Sequence, residues 1–557
     1  MNFQEEKPKR KLELLKKKEE EDSVKILSQK YKIPYADLAV FPIEIDAIKI
    51  LPEEKARKAE LVIFQTAGKN LKIGVRNPEK EETKIALKRL AENRYNCDLF
   101  LVSRSGLERA WEFYKKVPAE YEATAGTVAI QHAKISSLQQ EITNLPQIKE
   151  RIEKTFFGRT TEALEIILAG ALSTDASDVH IEPEEGGARV RFRLDGILQD
   201  VTRLPPKLQN LLLSRIKLLS ELKLNIKDRA QDGRFTIKIG NDDKISEIEV
   251  RVSTLPGPHG ENIVLRILNP HSIEVPFEKL GMHPWIVETI KAELKKPNGM
   301  ILTTGPTGSG KTTTLYAFLK NVHQPGIKII TIEDPIEYHL PGVEQTQVDA
   351  EKGYDFANGL RSILRQDPDV ILVGEIRDLE TAETAMHASL TGHLVFSTLH
   401  TNNAAGTIPR LLDLGVKPAI IAPAINVAMA QRLVRKLCAS CRIKIKPAPG
   451  ELKKLQKELA GFPKKAAAPD EKNWTIYKAL ENGCPNCNHT GYKDRIGVFE
   501  IILIDDEVER LIMKEPSEFE IKKEAQRQGQ ITMRQDGVLK VLSGITDLAE
   551  LERVVGS

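Results

Sequence analysis

The chain has 557 residues, and at about 100–200 residues per domain that length excludes one ordinary core and points to three or four domains. Its 82 basic and 79 acidic residues leave a net charge of +3, which is no electrostatic footprint of a dedicated nucleic-acid binder. With 41% apolar and 29% charged residues, 35 Gly and 30 Pro, the composition is that of a globular chain and excludes a disordered or fibrous one.

Residues 1–22, MNFQEEKPKRKLELLKKKEEED, form a charged tail that mixes both signs and lacks the apolar core of a secretory signal. The most apolar stretches, Leu164–Leu172 and Pro418–Ala430, fall short of the roughly 20 residues that cross a bilayer, and Pro423 and Asn426 interrupt the second. A cytoplasmic protein without a transmembrane helix is expected. Over 23–117 the short apolar patches IPYADLAVF, ELVIF and LKIGV precede a helical stretch from Glu82 to Glu92, which predicts a small α/β domain. Cys97 stands alone beside Leu99, Phe100, Leu101 and Val102 and reads as a small buried hydrophobe. The polar, Gln-rich stretch 118–150 reads as a linker.

Residues 151–270 open with helical spacing from Thr161 to Leu172, for which Thr160 or Thr161 is a plausible cap. The strands VHIEP, RVRFRL, RFTIKI, EIEVRVSTL and IVLRIL follow, giving an α+β domain with a mainly antiparallel sheet. Over 271–434 the pattern changes to the apolar strands MILTTG, KIITIED, VILVGEI and HLVFSTLH, alternating with helical segments. Continuous apolar strands belong to a parallel sheet covered on both faces, so this is an α/β core. Two cysteine pairs with a charged insert occupy 435–500, and amphipathic helical segments fill 501–557.

Gly305-Pro-Thr-Gly-Ser-Gly-Lys311-Thr312 fits G-x-x-x-x-G-K-[ST], directly after one of these strands and before a helical run. Such a loop turns backbone N–H groups toward a polyphosphate at a helix N-terminus. Gly305, Thr307, Gly308, Ser309, Gly310, Lys311, Thr312 and Thr313 are the candidate ATP-binding residues, with Lys311 reaching the β/γ-phosphates and the Thr312 hydroxyl ligating Mg²⁺. Hydrolysis also needs a group that orients water. Glu375 ends the strand Val370–Gly374, and Glu333 and Asp334 end KIITIED, so both acids sit where a sheet's C-terminal edge faces a bound nucleotide. His393 and His400 flank LVFSTL and are candidates to sense the γ-phosphate; a loop hydrogen bond is the alternative for each.

Cys438-x-x-Cys441 and Cys484-x-x-Cys487 offer four thiolates, a set that closes the coordination sphere of Zn²⁺ and makes a structural site; redox pairs are the alternative. His489 stands close by in sequence, but four cysteines make it unnecessary as a ligand.

GPTGSGKTTT, ITIEDPIEY, ILRQDPDVILVGEIRD and TGHLVFSTLHTNNA together resemble the Walker A, Asp box, Walker B and His box of the secretion ATPases, the type II secretion and type IV pilus assembly motors. The resemblance runs from about residue 160 to 500 through ASDVHIEP, QDGRF, VRVSTLPGPHGEN and QRLVRKLC, and the extra N-terminal domain with four cysteines resembles the assembly branch. It implies a RecA-like core preceded by an α+β, PAS-like domain, and a ring of six subunits at the inner face of the cytoplasmic membrane. It also implies docking to a platform protein and a membrane-associated partner, with pilus assembly as the work done. Arginines of the upstream domain would face the phosphates as arginine fingers; Arg234 and Arg251 lead, and Arg193 and Arg266 follow. The resemblance leaves Glu375 as main catalytic acid and Glu333 as its water-positioning partner, with Mg²⁺ ligands beyond Thr312 open because Gly374 stands where many P-loop enzymes carry Asp. Some relatives bind cyclic-di-GMP in the N-terminal domain through RLG-containing repeats; this sequence holds none, and that ligand is not expected. A type II secretion motor is the alternative reading, and a DNA-translocating ring, disfavoured by charge, is the alternative of another class.

Overall fold

In the computed structural model of the protein the described residues are 20–31, 33–38, 41, 43–48, 50–67, 70–92, 95–116, 127–128, 138–139, 141–156, 160–241, 244–269, 275–463 and 474–556. The charged segment 1–19, most of the linker and the side chains of the cap candidates Thr160 and Thr161 lie outside them. The chain divides into two units, 1–122 and 123–557.

In the first unit ELVIF and LKIGV form β1 (Leu61–Ala67) and β2 (Asn70–Val75), and Cys97 lies on β3 (Asn96–Leu101). β1 and β2 pair antiparallel, and β2 and β3 pair parallel. The helix Glu81–Glu92 falls where its apolar spacing places it. Among the described residues of IPYADLAVF, Tyr35 makes an isolated bridge to Leu101, in which the Pro34 carbonyl accepts from the Leu101 N–H at 2.8 Å and the Ala36 N–H donates to the Leu101 carbonyl at 2.9 Å. Cys97 is half-buried and packs on this core, and burial pushes its thiol up.

In the second unit a seven-stranded sheet has the order β4-β8-β9-β10-β5-β6-β7. Its strands are β4 (Thr127–Val128), β5 (Asp178–Glu184), β6 (Gly187–Leu194), β7 (Ile197–Leu204), β8 (Gln231–Asn241), β9 (Lys244–Gly257) and β10 (Gly260–Leu268). All neighbours pair antiparallel except β4 with β8. β6 alternates half-buried and buried residues along its length, the period-2 signature of a sheet with one wet face. β7 is absent from the sequence reading because Gln199, Asp200, Thr202 and Arg203 break its apolar pattern and a register shift falls opposite it at Val190/Arg191.

The third sheet, also seven-stranded, runs β13-β12-β14-β15-β11-β16-β19. It contains β11 (Gly299–Thr304), β12 (Ile329–Glu333), β13 (Glu344–Gln347), β14 (Val370–Val373), β15 (Leu394–Leu399), β16 (Ile425–Leu437) and β19 (Tyr492–Leu503). Every pair is parallel except β16 with β19. β11, β12, β14 and β15 are buried at every residue, as strands covered on both faces must be. The chain leaves β16 and re-enters at β19, and the register Leu437↔Tyr492 brings the ends of that excursion together. The cysteine element, with its small hairpin of β17 (Ile443–Ile445) and β18 (Ile476–Lys478), is thus an insertion between two partnered strands of the core sheet. Among the described residues no helix is long and apolar enough to cross a membrane.

Candidate nucleotide cleft and four-cysteine cluster

β11 delivers the chain to Gly305 and the helix Lys311–Val322 carries it away, so the loop between them lies at the C-terminal edge of the parallel sheet. Gly305 has φ +153°, and a Cβ there would lie 2.6 Å from Ser309 Oγ and 2.7 Å from the Gln431 carbonyl oxygen. Gly310, the helix N-cap, has φ +87° and would bring a Cβ within 2.9 Å of Gln431 Nε2, which donates to the Ser309 carbonyl at 2.7 Å. Both glycines are therefore dictated by β16, from which Gln431 projects under the loop. The Lys311 ammonium donates to the Gly305 carbonyl at 2.7 Å, and burial pulls its pKa below the ordinary value while Glu375 opposes that shift.

The loop faces a cleft of about 400 Å³ lined by Thr307 through Thr313 and by Glu333, Asp334, Glu337, Glu375, His400 and Arg495. Glu375 follows β14, accepts a hydrogen bond from Arg377, and lies 3.2 Å from His400 Nε2 at the end of β15. Burial works to raise its pKa, but Arg377 and His400 outweigh that and hold the carboxyl below its ordinary range. An ionised carboxylate at this edge can orient water or accept its proton.

Glu333 also borders the cleft, but only 4% of it is exposed. Tyr316 donates to its Oε2 at 2.5 Å, and Thr331 and Gln345 donate to its Oε1 at 2.6 and 3.2 Å. Protein donors thus hold both oxygens of the residue expected to position water, and through them it braces β12, β13 and the phosphate-loop helix against one another. Burial beside that carboxylate pushes the Tyr316 hydroxyl far up, so it stays a donor. His393 lies apart from the cleft lining. It precedes β15 at the opposite edge of the sheet from His400, and its Nδ1 lies 3.0 Å from the Ala388 carbonyl oxygen, a helix-end contact remote from the phosphate loop.

A second cleft, about 580 Å³, opens between the upstream sheet and the loop after β12, lined by Arg234, Arg251 and Arg266 together with Pro335, which borders both clefts. Arg251 donates to the Ile336 carbonyl at 2.5 Å and to Glu249 at 3.1 Å, so it already grips the core. Arg234 has a side chain 75% exposed, 3.6 Å from Glu249. Arg193 and Arg266 converge on Asp178 at 3.1 and 3.2 Å; Arg193 is absent from this cleft. Sequence reasoning missed Glu337 and Arg495. Burial raises the Glu337 carboxyl, with Arg251, Arg266 and Lys311 pulling it back and Glu333 adding to the rise. It lies in the same ITIEDPIEY run as Glu333 and was open to the same argument. Arg495 offers no such signal, because only the β16–β19 pairing carries it from beyond the cysteines to the cleft.

The four sulfurs of Cys438, Cys441, Cys484 and Cys487 lie within 4.8 Å of one another. Cys438–Cys484 and Cys484–Cys487 are 3.8 Å apart and Cys441–Cys487 is 3.9 Å. A tetrahedron with Zn–S bonds of about 2.3 Å has edges of about 3.8 Å, so the set fits a zinc ion with no position left open. Burial opposes ionisation of the Cys487 thiol, but backbone N–H groups of Cys484 and Gly491 and the neighbouring sulfurs bring it down to about 7. His489 points elsewhere, its Nδ1 3.2 Å from the Asn482 carbonyl oxygen.

Comparison with known proteins agrees with this architecture. The family described as Type II/IV secretion system protein matches residues 155–553, and the MshEN domain matches 31–118. The chain belongs to the type II/IV secretion system protein family. It is 37% identical over 541 residues to the type IV pilus assembly ATPase PilB of Myxococcus xanthus, covering 97% of this chain and 91% of that protein. It is 38% identical over 520 residues to the type II secretion system ATPase E of Vibrio cholerae, covering 93% and 99%. In fold, the ATPase DotB of Yersinia pseudotuberculosis is similar with a TM-score of 0.52 at 18% identity, over 71% of this chain and 93% of that one.

Proposed function

We propose that the chain is a Mg²⁺-dependent ATPase acting as a cytoplasmic homohexamer at the inner membrane, where it drives assembly of type IV pilus fibres through a platform protein and a membrane-associated docking protein. The observation that carries the reading is the meeting of the Lys311 loop with the Glu375–His400 pair in one cleft. The loop N–H groups and Lys311 hold the phosphates, and Glu375, kept ionised by its partners, takes the proton of the attacking water. Arg251 and Arg234 close on the transferring group from the upstream domain. Thr312 would hold Mg²⁺, whose charge would offset that of the phosphate oxygens. Zinc at the four cysteines ties the inserted element to the core and takes no part in turnover.

The type II secretion reading has equal support in identity, 38% against 37%, and differs in what the motor assembles. Phosphate release from the purified full-length protein tests the enzyme: Glu375→Gln should slow it by about 10²–10⁴ while ATP still binds. Equal rates in wild type and variant would end the hydrolase reading. Surface pili counted after Lys311→Ala replacement in the host separate the two machines. Their loss supports the pilus motor, and unchanged fibres point to secretion.

A further inference from the structure

β19 contributes a carboxylate that the cleft does not use. Glu500 is 8% exposed, and its Oε1 and Oε2 accept from the backbone N–H groups of Ala404 at 3.0 Å and Met533 at 3.3 Å. Burial raises its pKa, the two N–H groups and the Lys522 charge oppose that rise, and Glu518 adds to it. Arg432, which feels Glu500 electrostatically, donates instead to the carbonyls of Gln431 and Asn402. A buried carboxylate spent on two backbone amides has a positional task.

Ala404 is fully buried and lies in the loop 400–406, which begins at His400. One end of the loop is fixed to the phosphate-loop strand: the Thr401 N–H donates to Oγ1 of Thr304, the last residue of β11, at 2.7 Å. Its middle is held at the Asn402 carbonyl by Arg432 and at the Asn403 carbonyl by the Thr401 hydroxyl, and the C-terminal region adds Glu500 at the Ala404 N–H and Glu518, which accepts from Asn403 Nδ2 at 2.8 Å. Met533 is the first residue of the helix Met533–Leu542, so one carboxylate joins that helix's N-terminus to the loop presenting His400 to Glu375.

We propose that Glu500 is a positioning residue for hydrolysis, holding the 400–406 loop so that His400 stays against Glu375, and that it makes the C-terminal helices part of the nucleotide site. The inference rests on the ATPase reading and adds a residue that touches neither nucleotide nor cleft.

The test uses full-length protein with Glu500→Gln, which keeps the side chain's shape but turns an amide N–H toward one of the two backbone donors. Hydrogen exchange of the 400–406 segment should quicken by about tenfold or more while exchange across β11 and β15 is unchanged. kcat should fall by about tenfold or more with KM for ATP within about twofold. In a His400→Ala background the same substitution should change kcat by less than about twofold, because the two residues act as one unit. Unchanged exchange in the loop overturns the proposal, as does a loss carried by KM or one that multiplies with that of His400→Ala. If Glu500→Gln does not fold, Glu500→Asp, a shorter carboxylate, is expected to give the same effects in weaker form, and wild-type values in it would equally overturn the inference. Wild-type protein without turnover would sink the ATPase reading, and with it the part Glu500 plays in hydrolysis, whereas the exchange arm still decides whether Glu500 holds the loop.

Discussion

The nucleotide cleft and the cysteine cluster are both hung on the β16–β19 pair, yet they are built in opposite ways. The cluster gathers four like side chains from the two ends of a single excursion and closes on itself, leaving no face to a substrate. The cleft draws unlike residues from the ends of β11, β12, β14 and β15 and from β19, and stays open to about 400 Å³. In the closed site every ligand carries the same task, so all four are legible as a spacing. In the open one each side chain has its own task, and identity of residue type does not reveal which carboxylate is free to act.

Removing the metal should break the comparison most severely. Chelation, or Cys441→Ser, is expected to abolish a bound zinc of one per chain by elemental analysis and to expose 438–491 to protease, because a metal at the four sulfurs would cross-link the two ends of the excursion. Retention of one zinc per chain in Cys441→Ser would show that the set is not closed. Next in size is Glu333→Gln, which turns a donor toward one of the donors that now fix the carboxylate. A stability loss of about 1–3 kcal/mol by denaturant titration is expected, with turnover reduced less than by Glu375→Gln. The reverse ranking would give Glu333 the larger part in the chemistry.

A smaller effect concerns pH. The folded pKa of Glu375 lies below that of an ordinary carboxyl, so its ion pairs contribute stability that is complete above the ordinary value and lost as pH falls through the lower folded one. Unfolding midpoints measured from pH 6 down to 3 should therefore drop less steeply in Glu375→Gln than in wild type. His393→Ala should do least: turnover within about threefold of wild type, against a larger loss for His400→Ala, since only the latter reaches Glu375.

Much of this molecule is written locally. The strands of the core sheet, the phosphate loop and the cysteine pairs are short patterns whose physics is complete within a dozen residues, and each lies where its pattern puts it. What escaped the sequence depends on pairing at long range. Nothing near Arg495 announces the cleft, nor anything near Glu500 the loop at Ala404, because the antiparallel register of β19 against β16 decides where they arrive. His393 and His400 look equivalent in sequence, six residues of strand apart, but a parallel strand has one end that faces ligand and one that does not. Glu333 and Glu375 likewise end equivalent strands, and only the donors around each carboxylate, Tyr316, Thr331 and Gln345 for the one and Arg377 with His400 for the other, set them apart.

One strand runs the whole distance between the two sites. β16 is 13 residues long, and Gln431, which clasps the phosphate loop at Ser309, lies on it ahead of Cys438 just past its end. At about 3.3 Å per residue those positions are roughly 23 Å apart along a nearly inextensible backbone. A tilt of the strand that accompanies movement of the loop would thus arrive at the sulfur cluster magnified by leverage, not damped by slack, and a metal held there would carry the outer module with it as one rigid arm.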